Sequence, residues 1–228
     1  MPSASAGSSV HSGGLRRLYD VLLEAHGPQH WWPGGSAFEI AVGAVLVQRT
    51  AWRNAAGAIA RLAERDLIDP SAILDLPVSH LQRLIRPAGF FRQKSGTLRS
   101  FSAWLVAAGG FDSLQAYPTA ELRAALAALR GIGPETADSI LLYALHRPVF
   151  VVDAYARRLL TRTGIRPDAG AVDYASLGGW IEEQLPADAA LLGEFHALIV
   201  AHGKARCRPR PVCPGCPVED ICVYASGG

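Results

Sequence analysis

The chain has 228 residues, half of them apolar, and a formal net charge of +2: long enough for one or two domains with a real core, and too nearly neutral for charge alone to argue for nucleic acid. Its positive charge is almost wholly arginine, the lysines being Lys94 and Lys204; the planar arginine fork suits phosphate, but compositional bias gives the same pattern. The opening MPSASAGSSVHSGG lacks the apolar stretch of a secretion signal, and no uncharged apolar run could span a bilayer, so a cytoplasmic chain with no membrane partner is expected.

Taken in order, residues 1–14 are small and polar and read as a disordered tail. From Leu15 the pattern is helical almost throughout, with Leu15, Leu18, Val21 and Leu22 on one face. Ser36 is placed to cap the apolar AFEIAVGAVLVQR, and Thr50 to cap AWRNAAGAIARLAERD. Short helices fit 71–75 and 79–85; longer ones fit 92–107, 119–128, 134–145, 153–163, 173–185 and 189–202, with Gly and Pro at the joints. VFVV at 149–152 is the only β-like run, so the expected class is all-α.

Three features carry chemistry. Leu129-Arg130-Gly131-Ile132-Gly133-Pro134 lies between two helices. Glycines admit close approach, proline suits a first helical turn, and the free amides there can bind an anion; a plain helical corner accounts for the same residues. Asp153 precedes the helix AYARRLLTR, and by itself fits an N-cap as well as a catalytic carboxylate. Cys207, Cys213, Cys216 and Cys222 give C-x5-C-x2-C-x5-C, the spacing of four thiolate ligands in a reducing compartment; on chemistry alone zinc and an iron–sulfur cluster both fit.

The segment LRGIGPETADSILLYALHRPVFVVDAYARRLLTR resembles the helix–hairpin–helix and Gly/Pro…Asp motif of the endonuclease III superfamily of DNA glycosylases, and the resemblance runs from about Trp31 to Cys222. It implies a two-domain helical fold: a six-helix barrel domain with the hairpin at 29–147, and a second domain from 15–28 and 148–228 carrying the cluster loop. It also implies a base-excision enzyme acting on double-stranded DNA with a damaged base, as a monomer, at the nucleoid.

On that resemblance Asp153 is the catalytic carboxylate, Gly131 and Gly133 hold the DNA backbone, and Gln48 and Phe90 enter the duplex; without it Gln48 reads as a helix-terminal amide and Phe90 as core. The superfamily's cluster loop is C-x6-C-x2-C-x5-C, one residue longer than here, and the four cysteines are expected to hold a [4Fe–4S] cluster, with zinc as the alternative. Arg208 and Arg210 in that loop can meet phosphates or be simple solvated charge. Bifunctional members place a lysine nucleophile where this chain has Glu135, which cannot form a Schiff base, so hydrolysis without strand cleavage is expected. Trp31, Trp32, Trp52 and Lys204 resemble the base pocket of the 3-methyladenine glycosylase III branch, pointing to alkylated purines. The rival readings are a bifunctional glycosylase/lyase on oxidised pyrimidines and a non-catalytic binder of DNA structures.

Overall fold

The computed structural model describes residues 6–227, with side chains from residue 13 onward. In chain order the helices are α1 (Ala6–His26), α2 (Ala37–Leu46), α3 (Trp52–Ala63), α4 (Pro70–Asp75), α5 (Val78–Leu84), α6 (Phe91–Ala107), α7 (Phe111–Leu114), α8 (Thr119–Ala127), α9 (Pro134–Tyr143), α10 (Ala154–Thr163), α11 (Tyr174–Gln184), α12 (Ala189–Ala205) and α13 (Val223–Ser226). No strand occurs among the described residues, so the fold is all-α. No helix among them is long and apolar enough to cross a membrane.

The described residues form two compact units. The terminal unit joins the residues up to Trp31 with those from Pro148 onward, and the central unit is Trp32–Arg147. In the central unit α2 packs against α3, α6 and α9. Its residues Phe38, Ala41, Val42, Val45 and Leu46 are buried, as an apolar surface on nearly every side demands. In the terminal unit α12 packs against α1 and α10, over Leu15, Leu18, Leu22, Leu159, Phe195 and Leu198.

Several local expectations hold. The Ser36 side chain caps α2 by accepting from the Glu39 amide, and Asp153 caps α10 by accepting from Ala156. Others are corrected. Thr50 does not cap α3: Ala51 is the N-cap residue, without a side-chain bond, and Thr50 Oγ1 instead accepts from Asn54 Nδ2 at 2.9 Å. Part of the expected tail, residues 1–5, lies outside the described residues, while 6–14 belong to α1. Once Leu15, Leu18 and Leu22 are anchored, elongating the helix through small residues adds a hydrogen bond for each residue fixed. The VFVV run is extended and buried but pairs with no strand. Side chains of α11 serve its amides instead: Phe150 N–H donates to Glu182 Oε1 at 2.7 Å and Val152 N–H to the Tyr174 hydroxyl at 3.4 Å.

Candidate functional site

In the central unit the chemistry is mostly backbone chemistry. Gly131 has φ +89, and a Cβ there would overlap Thr97 Oγ1, so the corner requires glycine on two counts. Gly133 is extended, and a Cβ there would meet only open space. The amides of both glycines have no acceptor among the described residues. They sit where α9 begins, with Pro134 in its first turn and no side-chain cap. Unpaired donors at the positive end of a ten-residue helix make an anion-binding corner. Glu135 follows in the acid-favouring first turn of α9.

The carboxamide of Gln48 is brought to this corner, its Nε2 donating to Gly131 O at 3.0 Å and Thr136 Oγ1 at 2.9 Å. To enter a duplex it must leave those two bonds. Phe90 is 54% exposed, which excludes the core reading, and its backbone is left-handed at φ 45 beside Gly89 at φ 67. Trp32 lies edge-on to Trp52 at 5.3 Å and tilted to Tyr143 at 5.5 Å. Its indole presses on Gly43 of α2 so closely that a Cβ there would fall 2.9 Å from Trp32 Nε1.

In the terminal unit the chemistry belongs to side chains. Asp153 Oδ1 accepts from Ala156 N–H at 2.7 Å, while Oδ2 lies 3.5 Å from His196 Nε2. Capping therefore fixes one carboxylate oxygen and turns the other toward a buried imidazole. The Trp31 ring lies 5.8 Å from the His196 ring, and the Lys204 ammonium sits over Trp31 at 5.6 Å. Asp153, His196, Trp31 and Lys204 thus form one chain of contacts. Of the four expected pocket residues, Trp31 and Lys204 belong to this unit and Trp32 and Trp52 to the central one.

Cys207, Cys213, Cys216 and Cys222 line one small pocket together with apolar Leu159, Val212 and Val218. Burial, reinforced by the other three cysteines, pushes the Cys216 thiol up. Helix α10, which Asp153 caps, also holds this loop. Arg158 Nε donates to Cys207 O at 2.7 Å. Arg162 donates to Arg208 O at 2.6 Å, Pro209 O at 2.9 Å and Cys207 Sγ at 3.4 Å. Arg208 and Arg210 are exposed. His202 is fully buried between His26 (3.1 Å) and Cys216 Sγ (3.6 Å); burial, with His26 and Arg206 adding to it, pushes its pKa down to about 4 and leaves it neutral.

Sequence reasoning passed over His196, Thr136, Arg158 and Arg162. The arginines stood in plain view in AYARRLLTR, and their spacing of four puts both on one helical face. Nothing in the sequence marked His196, whose partner is 43 positions away in the chain (196 minus 153).

The described residues are all-helical, with a glycine corner opening one helix and a capping aspartate opening another, the arrangement expected of a helix–hairpin–helix protein. Residues 42–175 match the family described as "HhH-GPD superfamily base excision DNA repair protein". The protein of Methanocaldococcus jannaschii named "Putative DNA repair glycosylase MJ1434" is 40% identical over 212 residues, spanning 92% of this chain and 96% of that one. The solved structure of Helicobacter pylori 3-methyladenine DNA glycosylase (MagIII) bound to 1,N6-ethenoadenine is similar with a TM-score of 0.72 and 29% identity, over 85% of this chain and 97% of that one. A non-covalent endonuclease III–DNA complex shares the fold with a TM-score of 0.78 at 20% identity, over 95% and 97% of the two chains. The chain belongs to the HhH-GPD superfamily and is a DNA glycosylase of base excision repair.

Proposed function

We propose that this glycosylase is monofunctional: as a monomer on damaged duplex DNA, it hydrolyses the N-glycosidic bond of alkylated purines and leaves an intact abasic site. The observation that carries the reading is the set of groups around Asp153. Its carboxylate is only partly buried, one oxygen held by the start of α10 and the other facing His196. Cleaving the bond develops positive charge on the sugar, which a fixed anion in a water-poor site stabilises strongly, and the same carboxylate can orient the attacking water.

The amines speak against a lyase step. Glu135 occupies the hairpin position where a nucleophilic lysine would stand, and Lys94 is 3% exposed with its Nζ bound to backbone carbonyls. Alkylated purines are favoured because alkylation at N3 or N7 gives a cation with an already weakened bond. Indole faces attract cations, as Lys204 on Trp31 illustrates. Gly131 and Gly133 amides hold the phosphate, Gln48 and Phe90 fill the gap left by the flipped nucleotide, and Arg208 and Arg210 add phosphate contacts.

The cysteine loop suits a [4Fe–4S] cluster. The four thiols share one pocket, and four thiolates at this spacing are a ligand set for such a cluster. Cys207, Cys213, Cys216 and Cys222 would hold the cluster, which would brace the loop, and Arg158 and Arg162 tie that loop to the helix headed by Asp153. Iron and sulfide analysis with a visible absorption band supports this, and a colourless zinc protein contradicts it.

The test is a panel of duplexes, each carrying one of 7-methylguanine, 3-methyladenine, thymine glycol or uracil, assayed with and without hot alkali. The reading expects release of the alkylated purines with strand breaks only after alkali. Preferential release of thymine glycol, or breaks without alkali, overturns it.

A further inference from the structure

Lys94 is a buried ammonium in the first turn of α6 that none of the chemistry above uses. It forms no ion pair among the described residues. Its Nζ donates to Leu46 O at 2.9 Å and to Ala88 O at 2.7 Å. Leu46 is the last residue of α2, and Ala88 ends the short turn Arg86–Ala88. Both acceptors are therefore helix-terminal carbonyls that lack a partner within their own turn. Each lies two residues before a side chain assigned to the duplex: Leu46 before Gln48, Ala88 before Phe90. Both following segments adopt left-handed backbone, at Arg49 (φ 54) in one and at Gly89 and Phe90 in the other. Lys94 also donates its own N–H to Phe90 O at 3.0 Å, so it grips the second segment by backbone and side chain together.

We infer that Lys94 is the positioning residue that fixes the two inserting segments relative to each other, one cation bridging the roots of the Gln48 and Phe90 loops. The inference rests on the reading of those two side chains as the ones that enter the duplex. An ammonium suits the task because its three N–H groups point in different directions from one atom, allowing carbonyls of unrelated segments to share it. A methionine would fill the same space, but it would release both carbonyls and leave two strained turns to settle independently. Burial pushes the Lys94 pKa down to about 8, so the amine is still mostly charged at neutral pH.

The test uses the full chain with K94M, K94Q, Q48A and the K94M/Q48A double variant. Three readouts apply: single-turnover base release, binding to undamaged duplex, and fluorescence of a 2-aminopurine placed beside a tetrahydrofuran abasic site. K94M is expected to bind undamaged duplex within about 2-fold of wild type, to lose about 10- to 100-fold in base release, the scale of an ångström-level misplacement, and to lose the 2-aminopurine signal. The double variant should be no slower than the slower single variant. Hydrogen exchange should rise at 47–50 and 89–91 while α3 and α9 keep their protection. If K94M does not fold, K94Q, which reaches one carbonyl, carries the same measurements with smaller losses. Additive losses in the double variant, or exchange rising uniformly through the central unit, overturn the inference while leaving Gln48 as a wedge. An unimpaired Q48A overturns the wedge reading and this inference with it.

Discussion

The two units present their functional groups in opposite ways. In the central unit they are backbone amides and loop geometry: Gly131 at positive φ, uncapped donors at the start of α9, and left-handed backbone at Arg49, just after Gln48, and at Gly89 and Phe90. In the terminal unit they are side chains fixed by other side chains: Asp153 against His196, Trp31 under Lys204, and a cysteine loop held by two arginines of α10. Backbone groups read no chemistry in a ligand and suit a uniform phosphate. A carboxylate placed by capping suits a charge that appears at one atom. On the proposed reading, gripping and reacting fall to different kinds of group, and each should fail in its own way when altered.

The largest effect should come from D153N, which removes the charge while keeping size and capping ability: base release should fall about 10³-fold, the scale of losing a central electrostatic stabiliser, with duplex affinity changed little. G131A should break the opposite half of the contrast. A non-glycine residue at φ +89 costs about 1–3 kcal/mol, and the Cβ also meets Thr97, so duplex binding should weaken at least about 10-fold, measured by anisotropy. R162L should loosen the cysteine loop by about 0.5–1.5 kcal/mol through the lost hydrogen bonds, seen, with the proposed cluster in place, as faster loss of iron to a chelator, with G131A unaffected in that assay. A further effect, read in stability and not in activity, is on pH. Lys94 has a folded-state pKa of about 8 against 10.5, so between those values the unfolded chain holds more protons and stability from this group rises as pH rises. Urea midpoints of wild type, taken relative to K94M, should climb across that window; a difference flat with pH contradicts the burial of the charge.

Most of the fold was legible because helices announce themselves. Ser36 and Asp153 read as caps, and the apolar spacing around Leu15, Leu18 and Leu22 set the first buried face. Thr50 misled because the rule for N-caps is local, while Thr50 found a side-chain partner in Asn54 one turn on. VFVV has strand composition, but strands need partners, and its amides found Glu182 and Tyr174 instead. Of the site, the glycine corner, Asp153 and the cysteines stand in short motifs visible in the sequence, but each fits a plain structural role by itself and takes its proposed one from the family resemblance. His196, Lys94 and the docking of Gln48 on Gly131 depend on contacts between residues far apart in sequence, which periodicity and spacing do not encode.

The most direct measurement is borohydride trapping during turnover of wild-type protein on a duplex carrying a single alkylated purine, with free base and protein–DNA adduct quantified in the same reaction. Hydrolysis directed by Asp153 predicts stoichiometric free base and no covalent adduct. An adduct accumulating with base release would show an amine attacking the sugar and would contradict the account.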